Sequence, residues 1–162
     1  MSRAARALES TVLLLARLGL AAIFGFAAFV KLTGPQSFAD SVKAFKVLPD
    51  HLVILTTFTI PWAEALCAVL LLLGLWTRAA ALVLSVQLLV FIAGIISVLI
   101  RGLDVKCGCF GQYDLMCSGP LGWCNVGQNA LLLAGSLLVL VRGGGGASAD
   151  QAMCRRACQT PA

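Results

Sequence analysis

Charge is what this chain has least of. Only 12% of its 162 residues are charged, against 60% apolar residues and a mean hydropathy of +0.96, whereas a soluble domain carries about 25% charged residues. That deficit excludes an ordinary soluble fold and reads as an integral membrane protein. Histidine is nearly missing, with His51 the sole one, which weakens any zinc site that depends on imidazole. Massed basic residues are missing too: the net charge of +5 is spread singly over the chain, so no nucleic-acid partner is implied. The glycine run Gly143 to Gly146 lacks the lysine and hydroxyl residue of a phosphate loop and reads as a flexible linker.

What is present is long hydrophobic runs. Four spans are expected at about Thr11–Val30, Leu52–Trp76, Ala79–Ile100 and Leu121–Val141, each near the 20 residues that cross a bilayer as a helix. The first, with Arg3 and Arg6 before it, also has the outline of a secretory signal, but Arg17 interrupts the apolar run and the later spans need a helix to pack against. Only Thr77 and Arg78 separate the second span from the third, and so short a link forces an antiparallel hairpin. The expected fold is all-α: four antiparallel transmembrane helices in a bundle over 1–142, a cysteine-rich loop between spans three and four, and a Gly-rich cytoplasmic tail over 143–162. Asn125, Gln128 and Asn129 make the fourth span the least apolar at its start. Between spans one and two, Ser37 can cap a short helix with Phe38, Val42 and Phe45 on one stripe, read as interfacial.

Arginine and lysine near the span ends set the orientation. Arg3, Arg6, Arg78, Arg142, Arg155 and Arg156 fall on one side, and Lys31, Lys43, Lys46, Arg101 and Lys106 on the other. This places both termini in the cytoplasm and the cysteine loop outside. Trp76 and Trp123 fit an aromatic belt at span ends, while Trp62 reads as packing.

Arg17 and Glu64 are ionisable residues inside spans, where each costs about 2.5–3.5 kcal/mol and calls for a partner. At about 1.5 Å per residue, Arg17 lies roughly 9 Å and Glu64 roughly 18 Å from the cytoplasmic side, within an arginine's reach of each other. Gln87, roughly 12 Å in, can join them. Such a group is either an ion pair locking helices or the polar wall of a quinone site.

Seven cysteines contrast with the single histidine. Cys67 sits mid-span as a small buried residue. Cys107, Cys109, Cys117 and Cys124 crowd the loop after span three, where an oxidising compartment favours disulfides. A Cys107–Cys109 bond across Gly108 closes a small strained ring, the kind of disulfide that exchanges rather than staples. Lys106 favours the Cys107 thiolate, and Asp104 partly opposes it. Cys117 and Cys124 supply a possible second pair, in a relay or as a structural bond with the first. One-residue spacing disfavours metal, and no metal is expected. Cys154 and Cys158 are expected to be reduced in the cytoplasmic tail.

Arg17, Gly25 and Lys31, then Pro61 and Glu64, Gly74 and Arg78, and finally Cys107-Gly108-Cys109-Phe110-Gly111 form a pattern that resembles the DoxX-like membrane proteins, and within them the MauE branch. The resemblance covers about residues 10–141, with the CGCFG run its specific part. It implies a four-helix inner-membrane protein of redox character, linked to maturation of the disulfide-rich small subunit of methylamine dehydrogenase alongside a thioredoxin-like periplasmic partner, MauD. Cys107 and Cys109 carry over as the active thiols. Two other readings stay open: a non-catalytic scaffold whose cysteines only staple the loop, and a quinone-linked subunit with Arg17, Glu64 and Gln87 at the quinone. Membrane lipid is a partner in every case.

A reporter enzyme active only outside the cytoplasm should be active when fused after Gly111 and silent when fused after Val141. The opposite pair of results would invert the topology.

Overall fold

The computed structural model describes residues 3–46, 49–103, 105 and 121–143, and among these every regular element is a helix. In chain order they are α1 (Arg3–Thr33), α2 (Pro35–Ala44), α3 (Asp50–Leu73), α4 (Thr77–Ile100) and α5 (Trp123–Arg142). All but α2 are long and apolar enough to cross a membrane, so this is a multi-pass membrane protein. The four form an up-down ring: α1 packs chiefly on α3 and α4 on α5, while α1–α5 and α3–α4 contacts close it.

The hairpin between α3 and α4 turns slightly earlier than the composition suggested. Gly74, with φ of 72°, takes the left-handed conformation that costs glycine nothing. The Leu75 amide donates to the Leu70 carbonyl and the Gly74 amide to the Leu71 carbonyl, a Schellman closure of α3. Trp76 completes the turn at φ 47°, and Thr77 and Arg78 already belong to α4. At the same end Arg142 pairs with Glu9, and the Arg78 side chain lies beside Gly143. The starts of α1 and α4 therefore meet the end of α5.

Small residues let the helices approach closely, as bilayer packing without a solvent-driven hydrophobic force requires. Ala21, Phe24, Cys67, Ala68, Leu71, Ala81 and Leu84 belong to the buried core. Ser85 and Ser136, both buried, share a 2.8 Å hydrogen bond across α4 and α5. An apolar groove of about 540 Å³ runs between α1 and α3 on the outer face.

Two expectations are corrected here. The short helix begins at Pro35 behind Gly34, not at a Ser37 cap, because proline at the first turn sets the helical φ and forfeits no bond. It also packs against the end of α4. Phe38 is 2% exposed, Phe45 lies over Gly94 of α4, and the Arg101 guanidinium donates to the Phe45 and Lys46 carbonyls, so α2 climbs beside the last two turns of α4. Its expected stripe does hold, with Asp40, Lys43 and Lys46 exposed. Trp62 is 65% exposed and faces outward rather than into the core.

A double-mutant cycle of Ser85→Ala and Ser136→Ala should give a coupling of about 0.6 kcal/mol, the average for polar contacts between membrane helices. Ser136→Leu should overpack the same contact and cost about 1–3 kcal/mol. Unfolding in detergent measures both.

Candidate functional site

Halfway along α3 and α4 the bundle encloses a polar centre. Lys31 Nζ lies 2.7 Å from Glu64 Oε1 and 2.8 Å from Oε2, and the two side chains are 2% and 3% exposed. Gln87 Nε2 donates to Glu64 Oε1 at 2.6 Å. The carboxylate thus accepts three charge-assisted or amide hydrogen bonds from two helices. In a hydrocarbon setting that satisfaction is what allows the charges to persist.

Local sequence places each member. Lys31 is in the last turn of α1, where the helix dipole favours a cation. Immediately beyond it Gly34 and Pro35 end the helix, and α2 folds its Phe38 ring back to 5.0 Å from the ammonium. Phe91 of α4 supplies a second ring face at 5.4 Å, so two cation–π contacts flank the ion pair. On α3, Pro61 removes the backbone N–H that would bond the Thr57 carbonyl one turn earlier. Glu64 follows three residues later. A cavity of about 20 Å³ adjoins the group, bordered also by Phe24, Leu132 and Asn129.

Of the three residues expected to form this centre, Glu64 and Gln87 meet and Arg17 does not join them. Arg17 is buried on α1 but sits fourteen residues before Lys31, about 21 Å away along the helix. Lys31 takes the role expected of it. By sequence the lysine reads as an end charge, because it follows the apolar run Thr11–Val30. Its buried place removes it from the orientation tally, leaving four basic residues rather than five against six. The signal that pointed inward was the Gly34-Pro35 break directly after it, followed by the apolar stripe of α2.

The second candidate group is the cysteine cluster. Cys107, Cys109 and Cys117 lie outside the described residues, as do Cys154 and Cys158. Cys124 is exposed on the first turn of α5 and is disulfide-bonded. Cys67, buried and free, is not its partner. The two ends of the loop are joined, because the Leu121 amide donates to the Val105 carbonyl at 2.9 Å. Asn125 fastens the same place: its side-chain oxygen accepts from the Gly122 amide at 3.0 Å, satisfying a backbone donor at the start of α5. Among the described residues no group of three or more histidine, cysteine or acidic side chains is arranged to hold a metal.

The family described as methylamine utilisation protein MauE matches residues 9–142. The chain is 32% identical over 133 residues to the methylamine utilization protein MauE of Paracoccus denitrificans, covering 82% of this chain and 70% of that one. It is 34% identical over 119 residues to the protein of the same description from Paracoccus versutus, covering 73% and 62%. With that of Methylophilus methylotrophus it shares 32% over 131 residues, covering 80% and 67%. No solved structure matches the chain.

Glu64→Ala should cost about 3–5 kcal/mol by leaving Lys31 buried without its counter-ion. Lys31→Met combined with Glu64→Leu should cost far less than the sum of the single changes. Thermal unfolding in detergent distinguishes the two outcomes.

Proposed function

The chain belongs to the MauE family, and from that premise we propose that it is an inner-membrane accessory protein of methylamine utilisation that works by thiol–disulfide exchange at its periplasmic end. Cys107 and Cys109 are the exchanging pair. Their partner is a thioredoxin-like periplasmic protein or the disulfide-rich small subunit of methylamine dehydrogenase.

The observation that carries the reading is the Val105–Leu121 hydrogen bond. Cys107 is two residues beyond Val105, hence within about 7 Å of it along even a fully extended chain. Cys124 is three residues beyond Leu121. The residues that flank the CGCFG segment in sequence, Val105 and Leu121, and the exposed cysteine of α5 thus share the end of the bundle at which α4 finishes and α5 begins. Cys117 lies between them in sequence.

The chemistry balances within the two proteins. The Cys107 thiolate attacks a sulfur of the partner's disulfide, forming a mixed disulfide and releasing one partner thiolate. The Cys109 thiolate then attacks the Cys107 sulfur, closing the Cys107–Cys109 bond and releasing the second partner thiolate. Two electrons pass to the partner, and the reverse sequence delivers a disulfide to it. Lys106 favours the attacking thiolate. A cavity of about 20 Å³ at Glu64 and Gln87 is of water size, so the quinone-linked reading gains no support from it.

Cys109→Ser should arrest the exchange at the mixed disulfide and give a reducible adduct with a thioredoxin-like protein on a non-reducing gel. Adding Cys107→Ser should remove the adduct. An adduct that survives in the double variant would overturn the assignment.

A further inference from the structure

Each membrane-spanning helix sends one polar residue to the cavity at mid-bundle: Lys31 from α1, Glu64 from α3, Gln87 from α4 and Asn129 from α5. Direct hydrogen bonds join the first three. Asn129 stands apart from them. It is 7% exposed, and its amide nitrogen donates to the Asn125 carbonyl at 2.8 Å. Its Oδ1 accepts no hydrogen bond among the described residues, and Gln87 Oε1 is in the same position on the opposite wall. Neither is among the fully occluded side-chain atoms that lack a partner, so each keeps surface at which a donor can meet it, and in a hydrocarbon setting an amide oxygen favours one.

The cavity supplies room for one. Its volume of about 20 Å³ exceeds the roughly 10–15 Å³ that a single water needs, and a water that finds two to four polar partners is held as part of the structure. Apart from Lys31 and Glu64, which already satisfy one another, the remaining wall is hydrocarbon, so the two amide oxygens are the polar features open to the occupant. We propose that this cavity is a binding site for one water molecule, which donates to Asn129 Oδ1 and to Gln87 Oε1 and so joins α5 to the Lys31–Glu64 centre.

Several features of the chain then have one cause. Asn129, which makes the start of the fourth span unusually polar, faces a partner rather than lipid. The ion pair becomes a network reaching all four membrane-spanning helices. The water also borders the Glu64 carboxylate, the one acidic group at this depth among the described residues. This site rests on the bundle geometry alone and stands whether or not Cys107 and Cys109 exchange disulfides.

Water-edited solid-state NMR on the full chain in lipid bilayers, with asparagine and glutamine labelled with ¹⁵N, tests the site. The Gln87 and Asn129 side-chain amides should receive magnetisation from water several-fold faster than the backbone near Leu84. Asn129→Leu, which fills the cavity with hydrocarbon, should slow transfer to Gln87 several-fold, and Asn129→Thr, which keeps a polar partner, should preserve it. Transfer to both amides no faster than to the Leu84 region in the wild type overturns the site, and that measurement decides alone if the leucine variant does not fold. Unchanged transfer to Gln87 in a folded Asn129→Leu protein overturns it equally.

Discussion

The Lys31–Glu64 pair fixes more of this structure than any single apolar contact. Two charges that would each be costly in hydrocarbon are brought within 2.7 Å of one another, and separating them would expose both to that cost. The pairing sets the depth at which α1 meets α3, and Gln87 extends the same constraint to α4. It also dictates where the first helix ends. Lys31 has to stop level with Glu64, so α1 breaks at Gly34 and α2 carries the chain onward to Arg101.

The two ends of the bundle are built differently. At the Arg78 end, a Schellman turn and the Glu9–Arg142 pair bring helix termini together with little intervening chain. At the Arg101 end, α2 and the residues flanking the cysteine loop are fastened by backbone carbonyls accepting from Arg101 and by the Val105–Leu121 bond. One end closes the fold through its helix termini, and the other holds Val105 and Leu121, which flank the CGCFG segment in sequence.

The spans, the tight hairpin and the presence of Glu64 and Gln87 in one polar group were legible in the sequence, because bilayer thickness and the cost of buried charge leave few alternatives. The partner of Glu64 was not. Depth estimated along straight helices made Arg17 a plausible match, while Lys31 followed an apolar run and so looked like a boundary charge. Only tertiary packing shows that the boundary lies in mid-bundle. Trp62 misled for a related reason, since an indole in an apolar span is equally at home against helix or lipid, and α3 turns it outward. Asn125 looked like a weakness of the fourth span, yet it closes the first turn of α5.

The Val105–Leu121 bond has a thermodynamic consequence for the loop it closes. Bringing together the ends of a segment this long carries an entropy cost that grows only slowly with length. Here helix packing and one backbone bond between described residues share in meeting that cost. That bond joins main-chain atoms of Val105 and Leu121, so its own strength does not depend on the oxidation state of any cysteine. What the scaffold contributes to holding these ends is set by packing and main-chain hydrogen bonding, and carries no redox dependence of its own.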